Sequence, residues 1–139
     1  MRRKKSPKIK AKEDAWRTFS KYIRLRDSDT TGYCICISCA QVKPWKEMDA
    51  GHLIGSRCNN ILFDEELTNA QCKFCNNAQG QQVMYWKGLK ARYGYHDDKF
   101  LEFHARKRIT KKYTEADYKA ITEKYLDKIT GLCMQKGIV

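Results

Sequence analysis

Four cysteines in two closely spaced pairs are the first feature of this sequence that could do chemistry. Cys36 and Cys39 enclose two residues, as do Cys72 and Cys75, and 32 residues separate the pairs. A tight turn at each pair can aim both sulfurs at one ion, and two such turns complete a tetrahedral site. Four soft ligands without an open position suit zinc in a structural role. We therefore predict a structural Zn²⁺ at these cysteines.

The other three cysteines leave one alternative open. Cys34 could replace Cys36 by a shift of register, although a C-x-C spacing makes a less usual turn. Cys58 and Cys133 are expected to lie outside the metal site. Seven cysteines cannot form a complete disulfide framework, and basic residues rather than an apolar signal region follow Met1. Metal ligation is therefore favoured over disulfides.

An acid, an imidazole and a side-chain amide lie between and beside the cysteine pairs. Asp49 precedes His52 by three residues, and Asn76 directly follows the last cysteine of the second pair. Carboxylate and amide oxygens are hard ligands that suit an Mg²⁺ ion keeping several of its waters. Imidazole titrates near neutral pH and can take a proton from water. Together these groups could hold a divalent ion and activate water, provided that the fold brings them together.

Apolar periodicity predicts helices on both sides of this cysteine-rich segment. Trp16, Phe19 and Ile23 recur at helical spacing and predict an amphipathic helix from about residue 14 to residue 27. After residue 80 we predict three more helices. One covers about 83–93, a short one follows 97–98, and a long one begins after the N-cap Thr114 and ends before Gly137.

The charge balance favours a polyanionic partner. The 139 residues contain 28 Lys and Arg against 16 Asp and Glu, a formal net charge of +12. Such an excess is typical of nucleic-acid binding. No apolar run approaches the roughly 18 residues that a membrane-spanning helix needs. We therefore expect a nucleic acid rather than a membrane as partner, and a cytoplasmic location.

The order of these motifs resembles the phage NinG/Rap recombination proteins and, more broadly, the zinc-containing HNH or His-Me finger nucleases. The resemblance covers roughly residues 14–95, and its matching stretches are 16–27, 36–39, 49–52, 71–76 and 88–94. The combination of Asp-x-x-His with Cys-x-x-Cys-Asn is also similar to phage endonucleases that resolve branched DNA, including Holliday junctions.

This resemblance implies an α+β fold, a small and mainly helical domain built around a zinc-stapled ββα-metal hairpin. Residues 1–12 would be a flexible basic arm, and residues 13–139 a single nuclease domain. Within that domain we expect a zinc and ββα-metal core at about 32–94 and a helical C-terminal part at about 97–137.

The resemblance also assigns roles to residues. His52 matches the general base, Asp49 the metal-binding acid, and Asn76 the second metal ligand. Asn69 matches the middle Asn, which in the family holds the hairpin loop. Many HNH enzymes carry His where this chain has Asn76. An amide binds metals more weakly than imidazole does, so Mg²⁺ or Mn²⁺ is the expected catalytic ion beside the structural Zn²⁺.

Four basic residues are candidates for DNA contact. Arg57 follows His52 by five residues and could contact a phosphate or be a solvated loop residue. Lys87, Lys90 and Arg92 fall on the helix after the second cysteine pair and could position a duplex, because phosphate contacts fix placement without a sequence preference.

The predicted function is a metal-dependent, structure-selective DNA endonuclease that resolves branched DNA in phage recombination. Water attack assisted by His52 would leave a 5′ phosphate and a 3′ hydroxyl. Symmetrical cutting of two strands favours a homodimer, with the Trp16 helix and the C-terminal helix as suspected pairing surfaces. Two alternatives stay open: a zinc-stabilised DNA-binding accessory module with little catalysis, and a less selective HNH nuclease. A sequence-specific zinc-finger regulator is disfavoured because the Cys₂His₂ pattern is missing.

Overall fold

The structure is a computed structural model that describes residues 1–55, 59–78 and 82–138. It is a mixed α+β domain of long helices and short strands, as the resemblance implies. In chain order the elements are α1 (Pro7–Asp27), β1 (Tyr33–Ile35), β2 (Val42–Pro44), a 3₁₀ turn (Trp45–Glu47), β3 (Met48–His52), β4 (Thr68–Cys72), α2 (Lys73–Asn77), α3 (Gln82–Tyr93), α4 (Asp97–Arg106) and α5 (Glu115–Lys136). Among the described residues, no helix combines the length and the apolarity needed to cross a membrane.

The first helix begins earlier than the sequence analysis predicts. The Ser6 side chain accepts a hydrogen bond from the backbone N–H of Ile9, and Pro7 occupies the first turn, where its missing N–H costs nothing. Ala11 is buried in a cluster with Tyr118 of α5. The assignment of 7–12 to a flexible arm is therefore wrong, because a capped helix with a buried residue covers this segment. The predicted end at Asp27 is confirmed.

Helix α5 packs along α1 and buries the apolar face of both. Thr114 and Asp117 form a capping box at its start, and Gly137 ends it in the left-handed conformation at φ +66°. Between the helices, the rings of Phe19 and Tyr125 lie 5.0 Å apart and nearly perpendicular. The apolar faces that we suspected of pairing two subunits are therefore occupied within one chain.

Two antiparallel strand pairs lie between these helices in sequence. Strand β1 pairs with β2, and β3 pairs with β4 in a register that runs from Met48 opposite Cys72 to His52 opposite Thr68. Strand β4 is buried along its whole length. Because α2 follows β4 without a break, the second cysteine pair and Asn76 begin where the β3–β4 pair ends.

Helix α3 packs against this strand pair. Tyr85 and Leu89 are buried, and the Tyr85 hydroxyl donates a 2.7 Å hydrogen bond to the Gly51 carbonyl in β3. Gly88 lies directly against the first cysteine turn, since a Cβ added there would meet the carbonyl oxygen of Ile37 at 1.7 Å. A larger residue would not fit, so this glycine permits the close approach. The helix ends before Gly94, as predicted, where φ is +67°.

Candidate metal and catalytic site

The four predicted cysteine ligands meet at one point. The sulfurs of Cys36, Cys39, Cys72 and Cys75 all lie within 4.8 Å of one another. The Cys39 and Cys72 sulfurs are 3.8 Å apart. A tetrahedral zinc site with bonds of 2.3 Å has sulfur–sulfur edges of about 3.8 Å, so the spacing fits Zn²⁺. These four cysteines could hold a zinc ion, and the site joins the β1–β2 turn to the start of α2.

Backbone N–H groups stabilise the thiolate form of the cysteines at this cluster. The N–H of Cys72 lies 3.3 Å from the Cys36 sulfur, and the N–H of Cys75 lies 3.5 Å from the Cys72 sulfur. Burial raises the pKa of Cys36, but backbone N–H donors outweigh it and hold this pKa below the usual thiol range. Burial and the neighbouring sulfurs instead raise the pKa of Cys75. Four crowded sulfurs of this kind need a cation to ionise together, which a dication supplies.

The structure decides between the two candidate registers of the first pair. Cys36 belongs to the four-sulfur cluster, whereas the Cys34 thiol donates to the carbonyl of Arg24 at 3.1 Å. Burial raises the pKa of Cys34 to about 12, so this thiol stays protonated. Cys36 is thus the candidate ligand. Cys133 packs beside the α1–α5 core, and Cys58 lies outside the described residues.

Asp49 and Asn76 come together although 27 positions separate them. The Asn76 side-chain amide donates a 3.0 Å hydrogen bond to Oδ2 of Asp49. Asp49 lies in β3 and is half-buried, while Asn76 lies in α2 and is exposed. The cluster of four cysteines explains this proximity, because Cys75 belongs to it and places the first turn of α2 beside β3. Two oxygen-bearing side chains thus meet at the surface of the strand pair.

His52 ends strand β3, and its ring is held from two directions. Its Nε2 lies 3.1 Å from the Leu62 carbonyl oxygen. Its ring stacks on Trp16 of α1, with centroids 5.2 Å apart and planes 23° apart. A carbonyl oxygen can only accept, so the proton of a neutral imidazole belongs on Nε2 and the lone pair on Nδ1. The orientation and tautomer of His52 are therefore set by neighbouring groups.

One pocket of about 280 Å³ brings His52 and Asn76 together. Its lining combines apolar residues such as Leu53 with polar side chains from β3, β4, α2 and α3, namely His52, Gln71, Asn76, Asn77 and Gln82. Gly55, in the connection that follows β3, lines it as well. Asp49 does not line this pocket and reaches it only through its hydrogen bond to Asn76. The three predicted catalytic side chains are thus linked in space in the order His52, Asn76, Asp49.

Asn69, the predicted loop-holding residue, is buried at the centre of the domain. Its amide nitrogen donates to the Tyr85 hydroxyl at 3.2 Å, and its amide oxygen accepts from the Tyr93 hydroxyl at 3.3 Å. Arg26 of α1 reaches the same oxygen at 3.4 Å and donates to the Thr68 carbonyl at 2.8 Å. Asn69 therefore connects β4 to α1 and α3 and does not face the pocket.

The predicted DNA-contacting residues are dispersed. Lys87 is exposed, Lys90 forms a 2.9 Å ion pair with Asp97, and Arg92 donates to the Ile35 carbonyl at 3.1 Å. The pocket lining includes none of the three. On a helix, Arg92 also points away from Lys87 and Lys90, since two and five positions correspond to about 200° and 140° of rotation. Arg57 lies outside the described residues.

Sequence reasoning missed the groups that hold the site in place. Gln71 lies opposite Asp49 and donates to the Ser38 hydroxyl at 2.9 Å, which ties β4 to the first cysteine turn. The sequence analysis uses Trp16 only as part of the apolar face of a helix, but its ring also supports His52. Both residues lie in stretches that carry the resemblance, 16–27 and 71–76, but the motifs attach no role to either of them. The Leu62 carbonyl is a backbone group, so no side chain could have signalled it.

The comparison with known families agrees with the motif order. The family model described as "Bacteriophage Lambda NinG protein" matches residues 1–134. The chain belongs to the NinG family. The match extends beyond the motif region and takes in most of α5 of this NinG-family chain. No curated protein and no solved structure matches it significantly.

Proposed function

We propose that this NinG-family protein is a metal-dependent, structure-selective DNA endonuclease that resolves branched DNA, including Holliday junctions, in phage recombination. The observation that supports this most directly is the pocket shared by His52 and Asn76, with Asp49 hydrogen-bonded to Asn76. A strand pair followed by a short helix carries these groups, which is the element order of a ββα-metal motif. Membership of a phage recombination-related family supports the biological context.

His52 has the properties that a general base requires. The Leu62 carbonyl accepts from Nε2, so Nδ1 is the nitrogen that takes a proton from water. The stack on Trp16 restricts rotation of the ring, which keeps Nδ1 in a constant direction. General base action by a positioned imidazole contributes about 10² to 10⁴ in rate. Loss of His52 should therefore cost at least that factor.

Asp49 and Asn76 fit two neighbouring positions around a magnesium ion. Octahedral Mg²⁺ with bonds of 2.0–2.1 Å has adjacent ligand atoms about 2.9 Å apart. The Asp49 oxygen and the Asn76 amide atom are 3.0 Å apart. A half-turn of the amide presents its oxygen instead of its nitrogen, because the two atoms have nearly the same size and equivalent positions in the planar group. When bound, Mg²⁺ or Mn²⁺ would offset the charge that develops on the phosphate and its leaving oxygen.

The remaining ligands of such an ion must come from water or from DNA. Within the described residues, the four cysteines are the one cluster of three or more His, Cys, Asp or Glu side chains that could hold a metal. Asp49 and Asn76 alone therefore leave several coordination positions for water and phosphate oxygens, which suits an ion that keeps its waters. The net charge of +12 favours a DNA substrate, and two symmetrical cuts favour a homodimer.

The test compares three labelled substrates under single-turnover conditions: a four-way junction, a linear duplex and a single strand, each with and without Mg²⁺. Wild type should cleave the junction only with Mg²⁺ and leave 5′ phosphates. His52→Ala should be slower by about 10² to 10⁴. His96→Ala is the matched control, because His96 is exposed at the start of α4 and does not line the pocket.

Three other results would change the assignment. Equal cleavage of all three substrates would remove the structure selectivity and keep the nuclease. Binding of the junction without Mg²⁺-dependent cleavage of any substrate would favour the accessory DNA-binding module. Equal activity of wild type and His52→Ala would remove His52 as the base.

A further inference from the structure

We propose that the segment 107–112, here called the basic loop, contacts the phosphate backbone of the duplex arm beside the catalytic pocket. This inference rests on the proposed function and adds a DNA contact surface that the motifs do not contain. The basic loop connects α4 to α5 and has the sequence Lys-Arg-Ile-Thr-Lys-Lys.

The charges of the basic loop are not compensated. Its four cations are all exposed, and the described part of the chain forms no ion pair with any of them: Lys107, Arg108, Lys111 and Lys112. The preceding Arg106 provides a contrast, since it pairs with Asp64, Glu66 and Glu102 at 2.8–3.1 Å. Arg106 therefore has a structural role, whereas the loop concentrates four positive charges that form no ion pair within the described residues.

One side chain holds the basic loop in position. The Asn60 amide donates to the carbonyl of Lys107, and its oxygen accepts from the backbone N–H of Lys111 at 3.1 Å. Both ends of one amide thus bridge the loop, and the loop needs little further ordering when it meets a ligand. Because ordering costs reduce affinity, a pre-positioned set of cations binds phosphates more tightly than a mobile set.

The position of the loop connects it to the catalytic pocket. The Lys107 ammonium lies 3.5 Å from the carbonyl oxygen of Gly55, and Gly55 lines the pocket with His52 and Asn76. Asn60 belongs to the same connection between β3 and β4 as Gly55. A duplex whose scissile phosphate enters the pocket would therefore pass beside the basic loop.

This surface suits DNA better than the cations predicted on α3. Two of the three cations predicted on α3 are engaged within the chain, since Lys90 pairs with Asp97 and Arg92 donates to a backbone carbonyl. Lysine and arginine contacts to phosphates release counterions and fix placement without a base preference. The basic loop should therefore increase affinity and orient the substrate, while chemistry stays with His52 and its neighbours.

The salt dependence of junction binding tests the proposal. Each phosphate contact lowers the slope of log K against log salt by about 0.9, so Lys111→Gln with Lys112→Gln should make the slope shallower by about 1.8. The control is Lys119→Gln with Lys124→Gln on α5, which removes the same charge from exposed positions that do not line the pocket. This control should leave the slope within about 0.3 of wild type.

A second variant separates the effect of the position of the basic loop from the effect of its charge. Asn60→Ala keeps the net charge and removes both loop anchors, and it should weaken junction binding about two- to tenfold. Thermal unfolding shows whether each variant is folded, and the surface lysine pair tests the proposal even if Asn60→Ala unfolds.

The outcomes distinguish this inference from the proposed function. If wild type cleaves the junction and both lysine pairs change the slope equally, the basic loop is not a specific contact and the inference is wrong. If wild type binds but never cleaves, the nuclease proposal fails while the slopes still decide the inference. Wild type that does not bind DNA would overturn both.

Discussion

Replacing Gly88 with Ala tests whether α3 is docked on the first cysteine turn. An added Cβ would lie 1.7 Å from the carbonyl oxygen of Ile37 and 2.9 Å from its carbon. Ile37 directly follows the candidate zinc ligand Cys36. The added atom therefore has to push α3 away from the cysteine cluster, or displace a backbone segment that two metal ligands hold.

The expected magnitude combines two opposing effects. Ala in a helix interior is worth about 1 kcal/mol over Gly, which by itself would stabilise the variant. Overpacking a well-packed contact costs about 1–3 kcal/mol, and the backbone atoms here cannot rotate away. With the cost at the upper end of that range, Gly88→Ala should lose about 2 kcal/mol net.

Gly131 in α5 is the matched control. It is also helical, but beyond its own stretch of helix no heavy atom lies within 4 Å of its added Cβ. Gly131→Ala should therefore gain up to about 1 kcal/mol, which separates the two variants by about 3 kcal/mol. Guanidinium unfolding with Zn²⁺ present, followed by circular dichroism, measures both. If Gly88→Ala is as stable as Gly131→Ala, α3 does not pack against the Ile37 carbonyl.

Three further predictions address the metal, a buried hydroxyl and pH. Cys72→Ser should lose bound zinc and cooperative unfolding, whereas Cys34→Ser should keep one zinc per chain by elemental analysis; equal zinc content would contradict the register. Tyr85→Phe removes a hydrogen bond to a β3 carbonyl and should lower the free energy of unfolding by about 1–3 kcal/mol in guanidinium titrations; an unchanged midpoint would contradict this. Burial raises the pKa of Glu65, but hydrogen bonds from a tyrosine hydroxyl and a lysine ammonium outweigh it and hold this pKa below 4.5. The Glu65 carboxylate thus stabilises the fold above pH 4.5, and this stabilisation is lost as the pH falls through the lower folded pKa. In Glu65→Gln the free energy of unfolding, measured at each pH, should therefore fall less steeply on acidification than in wild type. A fall as steep as in wild type would contradict this.

Much of the fold follows from local sequence signals. The apolar periodicity predicted α3, α4 and α5, and glycines at positive φ end two of these helices where expected. The start of α1 was not predicted, because the prediction relied on apolar periodicity and the first turns, which follow the Ser6 cap and Pro7, are rich in basic residues. A charged helix end carries little apolar periodicity, so capping residues were the one available signal.

The candidate site could be predicted only in part. The Cys-x-x-Cys spacing predicted the sulfur cluster, because two tight turns with matched ligands have few other arrangements. The stack of Trp16 on His52 and the Leu62 contact arise from tertiary packing between distant segments. The composition of the basic loop is visible in the sequence, but its bridge to Asn60 depends on the chain path between β3 and β4.

The most direct test of the central claim is the Mg²⁺ dependence of junction cleavage by Asp49→Asn. This substitution keeps the shape of a half-buried side chain and removes the charge that would hold the ion. Unchanged zinc content and thermal unfolding would establish that the fold is intact. We predict that the maximal single-turnover rate falls by at least about 10² and that half-saturation requires more Mg²⁺. Cleavage with the rate and Mg²⁺ dependence of wild type would show that Asp49 and Asn76 do not form the catalytic metal site.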